Sequence, residues 1–98
     1  MTGTTRTSNG LDVRRRRALY HAWHRGTREM DLLLGRFADG HIADLSDSEL
    51  AEFEALMEVP DPDLFAWLTN AREVASEHAG PVYRRLVRFH AETAGQTI

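Results

Sequence analysis

Apolar residues along this chain recur at the three- and four-residue intervals of a helix, and no segment alternates as a strand requires. Over 12–24, Leu19, Ala22 and Trp23 form a stripe flanked by Val13 and Tyr20. It stops at His24-Arg25-Gly26, because glycine is costly inside a helix and natural at a break. Thr27 is suited to cap the next helix, and Glu29 suits its electropositive first turn. Over 28–38, Met30, Leu33, Leu34 and Phe37 fall at i, i+3, i+4 and i+7, with Leu32 widening the stripe. Asp39-Gly40 is expected to end this second helix.

The remaining pattern predicts three more helices. Ser46-Asp47-Ser48-Glu49 is a capping box, with Leu45 and Leu50 placed as a hydrophobic staple. It opens a helix over 46–58 whose apolar face is Leu50, Phe53, Leu56 and Met57, and Val59-Pro60 stops it. Asp61 is expected to cap a short helix over 61–70, with Pro62 at its first position and Leu64, Phe65, Trp67 and Leu68 on its surface. Residues 71–79 read as a loop or a ragged continuation. Gly80-Pro81 opens a last helix over 81–93, carrying Val82, Leu86 and Phe89 beside Tyr83, Val87 and His90, and Gly95 ends it. The expected fold is all-α: a compact five-helix bundle of short helices. One helical domain spans 11–95, behind a disordered tail over 1–10.

A length of 98 residues leaves room for a single core. Hydrophobic residues at 42% and charged residues at 28% are ordinary for a globular chain, which argues against general disorder. The absence of cysteine removes disulfides, thiolate metal sites and cysteine nucleophiles. No stretch reaches the ~20 apolar residues of a membrane span, and no apolar run near Met1 resembles a secretory signal.

The net charge of −3 conceals a segregation. Residues 11–36 carry seven Arg against Asp12, Glu29 and Asp31, a balance of +4. Residues 37–77 carry eleven carboxylates against Arg72, a balance of −10, and 78–98 return to +2. The expectation is a basic docking face on one side and an acidic body on the other.

Candidate chemistry is sparse. Arg14-Arg15-Arg16-Arg17 invites a nucleic-acid reading, but four consecutive helical residues point all round the axis, and the acidic segment would repel phosphates. His21 and His24 share a helix face, yet a metal would need Glu29 or His41 as a third ligand, and no familiar ligand spacing is present. The carboxylates over 44–63 read as helix-cap and first-turn residues. No catalytic residue is assigned, since neither a phosphate loop nor a nucleophile elbow occurs. The most unusual element is Arg25-Gly26-x-x-Glu29. It sets a forked donor, a glycine that permits close approach and a first-turn carboxylate at one junction. A local Arg25–Glu29 pair at i, i+4 is the plain structural alternative.

Two blocks carry a family resemblance. His24-Arg25-Gly26-Thr27-Arg28-Glu29-Met30-Asp31, followed by Leu32-Leu33-Leu34, resembles the RGxxE motif of the succinate dehydrogenase flavinylation factors. Leu45-Ser46-Asp47-Ser48-Glu49, then Phe53, Leu56 and Met57, then Asp61-Pro62-Asp63-Leu64-Phe65-Ala66-Trp67-Leu68, resembles that family's L-S-D-x-E and D-x-D-L-F-x-W-L segments. Together they cover roughly 14–70. His24 departs from the pattern, where many relatives carry a second Arg.

The resemblance implies a non-enzymatic assembly factor. It would bind the flavoprotein subunit of succinate dehydrogenase, and in bacteria of fumarate reductase, and promote covalent attachment of FAD to a histidine there. It would hold no cofactor of its own and act on the partner's FAD. The partner-binding residues would be His24, Arg25, Gly26, Arg28, Glu29 and Asp31, with Arg25 and Arg28 reaching acceptors on the flavoprotein. The implied protein is a monomer when free, binds neither nucleic acid nor membrane, and works in the bacterial cytoplasm or, in a eukaryote, the mitochondrial matrix. A small helical nucleic-acid-binding or regulatory protein is the competing class, and a flavin-binding enzyme is a third.

Overall fold

Asp12 starts the first helix: its carboxylate accepts the Arg15 backbone N–H at 2.7 Å, answering one of the free amides of a helix start. The computed structural model describes residues 10–94, so the expected tail, apart from Gly10, and Gly95 lie outside the described residues. Among the described residues there are five α-helices and two single 3-10 turns, with no strand. Helix α1 spans Val13–Trp23 and buries Ala18, Leu19 and Ala22. Val13 and Tyr20, on its other side, stay exposed.

Helix α2 spans Arg28–His41, with the Thr27 hydroxyl accepting the Met30 N–H at 3.3 Å. It runs past Asp39-Gly40, where the sequence predicts its end. Three contacts hold the extra turn. Trp23 donates its indole N–H to Asp39 at 3.2 Å, Phe37 and His41 stack at 4.5 Å, and the chain tightens into a 3-10 turn, Ile42–Asp44, that buries Ile42. Gly35 sits in the middle of α2 for a packing reason. The Trp23 ring lies on it so closely that a Cβ would stand 2.2 Å from Trp23 Cδ2.

Helix α3 spans Asp47–Met57 behind a complete capping box. Ser46 Oγ accepts the Glu49 N–H at 3.2 Å, and Glu49 Oε1 accepts the Ser46 N–H at 2.9 Å. Leu45 and Leu50, the staple positions, are both buried. Helix α4 spans Asp61–Leu68 and departs from expectation at its start. Pro60 occupies the cap position and Asp61 is the first helical residue, so the Asp61 side chain caps nothing in its own helix. Leu64 and Leu68, one turn apart, enter the core.

Residues 71–79 form a loop that enters through Asn70 in the left-handed region (φ 63°), a conformation asparagine tolerates, and contains a 3-10 turn at Ser76–His78. Helix α5, Pro81–Ala94, lies against α3; Glu52 accepts the Tyr83 backbone N–H at 3.0 Å. Val82, Tyr83 and Leu86 are buried. The core centres on Phe37, whose ring meets Phe53 at 6.0 Å and Phe89 edge-on at 5.7 Å.

The segregated charges are partly spent inside the fold. Arg14 pairs with Glu54 at 2.7 Å, Arg25 with Asp61 at 2.7 Å, and Arg85 with Glu49. Each joins a basic segment to the acidic one, so opposite charges attract segments that the bundle places side by side. The expected split into a basic face and an acidic body is therefore blunted.

Candidate functional site

The α1–α2 junction is a four-residue connection, His24 to Thr27, and its geometry is set from across the molecule. Arg25 turns inward, with only 9% of its side chain exposed. Its Nε donates to Asp61 Oδ1 at 2.8 Å, Nη1 to the Met57 carbonyl at 2.6 Å and Nη2 to the Val59 carbonyl at 2.7 Å. Those carbonyls belong to the last residue of α3 and to the second residue beyond it, where the helix no longer supplies donors. The guanidinium thus ties the junction to the end of α3 and the start of α4.

Asp61 completes the arrangement. Its other oxygen, Oδ2, accepts the Gly26 backbone N–H at 2.8 Å. A Cβ at position 26 would stand 3.3 Å from that oxygen, which is tighter than an ordinary contact. A side chain there presses directly on the carboxylate. The Arg25 backbone N–H donates to Asp31, so a second carboxylate-bearing residue braces the loop from within α2.

The six expected partner-binding residues therefore divide. Arg25 spends its guanidinium, and Asp31 one carboxylate oxygen, within the chain. His24 is exposed, its ring stacked on Tyr20 at 3.8 Å and its Nδ1 2.8 Å from the Tyr20 carbonyl oxygen. Gly26, Arg28 and Glu29 lie at the surface. The plain Arg25–Glu29 pair does not form, because Asp61 takes the guanidinium.

Beside the junction runs a groove of about 600 Å³, lined by Gly26, Thr27, Glu29 and Met30 from one side and by Asp61, Pro62 and Phe65 of α4. Its lining is mostly apolar. Phe65 is 44% exposed, a large cost in unburied apolar surface for so small a core, and it is here that the two sequence blocks meet. The sequence pattern puts Phe65 on an apolar helix surface and does not separate it from Leu64 and Leu68. The available signal was that an eight-residue helix apolar on most sides cannot bury every side.

Arg16, Arg17 and Arg28 have no ion-pair partner among the described residues, whereas Arg14 and Arg15 are used within the fold. Arg15 also donates to the carbonyls of Ile42 and Leu45. Hydrogen bonds from Arg14 hold the Glu54 carboxyl below its ordinary range, and the Ser46 backbone N–H, then Arg85, do the same for Glu49. Among the described residues no three His, Asp or Glu side chains converge as a metal would require. No helix among them is long and apolar enough to cross a membrane.

Residues 16–90 match the family described as flavinator of succinate dehydrogenase. The chain is similar to a protein named FAD assembly factor SdhE from Acetobacter pasteurianus, 39% identical over 79 residues that cover 81% of this chain and 72% of that one. It is similar to proteins named succinate dehydrogenase assembly factor 2, mitochondrial. The one from Dictyostelium discoideum is 40% identical over 82 residues, covering 84% of this chain and 57% of the relative. The one from Debaryomyces hansenii is 41% identical over 69 residues, covering 70% and 49%. The chain spans about half the length of these mitochondrial relatives.

Proposed function

Because the chain belongs to the flavinator family of succinate dehydrogenase, we propose that it is an assembly factor that binds the flavoprotein subunit of that enzyme and promotes covalent attachment of its FAD. One observation carries the assignment of the surface. The two blocks that bear the family resemblance, centred on Arg25-Gly26-x-x-Glu29 and Asp61-Pro62-Asp63-Leu64-Phe65, converge on one groove through the Arg25–Asp61 bridge.

In this reading the chain brings no catalytic group and no cofactor of its own. The bond-forming chemistry belongs to the flavin and the flavoprotein. The chain docks through the Gly26–Glu29 turn and the Phe65 groove and holds the partner so that its histidine and flavin meet in attack geometry. Positioning of that kind is worth up to ~7–11 kcal/mol in well-oriented systems. Arg28 offers an exposed donor for an acceptor on the flavoprotein, and Glu29 a free carboxylate for a basic group. Fumarate reductase is a second client in a bacterial setting. The compartment follows the client: bacterial cytoplasm or mitochondrial matrix. The free chain is a monomer.

A nucleic-acid role is not favoured, since Arg14 and Arg15 of the basic run are engaged within the fold. The test is deletion of the gene, with covalent flavin read by fluorescence of the flavoprotein on a denaturing gel. Loss of the signal on deletion, restored by the wild-type chain and not by Glu29→Ala, is the expected result. Undiminished flavinylation in the deletion strain overturns the function, and full rescue by Glu29→Ala overturns the site.

A further inference from the structure

We propose that Asp61, which lies outside the RGxxE motif, is a positioning residue for the docking surface, and that Arg25 acts through it rather than by touching the partner. The inference rests on the functional reading above. Its geometry is independent of that reading. Arg25 donates to Asp61, to the Met57 carbonyl and to the Val59 carbonyl, all within 2.8 Å, so its forked donors are already occupied. Reaching a partner would require it to abandon three acceptors in a site that is nearly closed to water. Asp61 divides its two oxygens between Arg25 and the Gly26 amide. One carboxylate therefore fixes a side chain and a backbone group of adjacent residues. That is enough to set both the position and the tilt of the turn leading into Arg28 and Glu29.

The bridge also ties that turn to the groove. Asp61 is followed by Pro62, and Phe65 lies one helical turn on. If the bridge is released, the polar turn and the apolar wall lose their mutual registry. A surface that is already in its bound shape binds more tightly, because the ordering cost is not charged on association. Asp61 and Arg25 should thus behave as one unit in binding the flavoprotein. If Arg25 instead contacts the partner, removing Asp61 frees it and leaves binding intact.

The experiment uses the full chain, purified apo-flavoprotein subunit and FAD, and titrates the chain to find the concentration giving half-maximal covalent flavin. Asp61→Asn keeps the shape but cannot accept from both donors. Asp61→Glu keeps the charge and displaces it by one methylene. Arg25→Gln removes the fork, and the Arg25→Gln/Asp61→Asn double variant closes the cycle. Val82→Ala, a core change on α5, is the control for lost stability without a change at the surface.

The expected result is a rise of roughly tenfold in the half-maximal concentration for Asp61→Asn and for Arg25→Gln, no further rise in the double variant, and little change for Val82→Ala. Asp61→Glu falls between. A second readout needs no partner. Amide exchange at Gly26, followed by NMR, quickens at least tenfold in Asp61→Asn while core amides of α3 keep their protection. The inference is overturned if Asp61→Asn leaves the half-maximal concentration unchanged while Arg25→Gln raises it. It is also overturned if the two effects multiply in the double variant, or if Val82→Ala matches them. A wild-type chain that adds no covalent flavin sinks the functional reading instead. Exchange at Gly26 then still decides whether the bridge holds the turn.

Discussion

The chain places arginines in two neighbouring settings that look alike in sequence and differ in the fold. Arg14 to Arg17 form a dense basic run on α1. Arg25, eight residues beyond, stands in a glycine-containing turn. In the run, the helix spreads the side chains around its axis, and the Arg14–Glu54 pair stays open to water, with 47% and 37% of the side chains exposed. At the turn, one guanidinium is nearly enclosed and meets a carboxylate and two carbonyls. Charge density along the sequence points to the run. The electrostatic work of the fold is done at the turn, because a charge gains most where water is excluded and every donor has an acceptor.

The largest effect should come from emptying the enclosed setting. Arg25→Ala leaves the Asp61 carboxylate and two carbonyls without their donor, and should cost about 3–5 kcal/mol. Urea denaturation of the purified chain measures it, and a loss below that of an exposed pair would erase the distinction between the two settings.

Next comes the packing that seats the turn. Gly35→Ala drives a methyl into the Trp23 ring two residues before Arg25, at a cost of about 1–3 kcal/mol. A thermal melt indistinguishable from wild type would show that Trp23 moves aside freely. The exposed pair should matter less: Arg14→Ala should move the urea midpoint far less than Arg25→Ala, and by less again in high salt.

The smallest effect is a pH dependence. Glu49 is held below its ordinary value by the Ser46 backbone N–H and then by Arg85. A depressed carboxylate contributes stability that is fully present above its unfolded value, roughly pH 4.3. That contribution is lost as pH falls through the folded value. Urea midpoints between about pH 6 and about pH 3 should therefore decline less steeply in Glu49→Gln than in wild type. Parallel declines would show that the cap and Arg85 leave the titration unaffected.

The same contrast explains what was legible in the sequence. Ser46 and Glu49 are three residues apart, and local spacing alone dictates their reciprocal bonds. Thr27 and the break at Gly26 are local in the same sense. Arg25 and Asp61 are 36 positions apart, and no spacing rule links them. Read locally, Asp61 before a proline is a helix cap. In the fold, Pro60 occupies the cap position and Asp61 is drawn to the arginine. The end of α2 departs from its local signal for a related reason. Asp39-Gly40 carries a stop signal, but Trp23 and His41 hold the extra turn through contacts that the local window does not contain. Phe65 and Leu64 are neighbours of similar hydropathy, and only the packing of α4 separates the exposed one from the buried one.

The two tryptophans bracket the bridge. Trp23 ends α1, with its indole bonded to Asp39, and Trp67 lies in the last turn of α4, 5.6 Å from the His78 ring. Both indoles lie on helices whose relative placement the Arg25–Asp61 pair fixes. The chain therefore carries its own optical gauge. Loosening of the turn shifts the emission of Trp23, parting of Trp67 from the His78 ring shifts that of Trp67, and the two signals separate a change at the α1–α2 junction from a change at the far end of α4 without any added label.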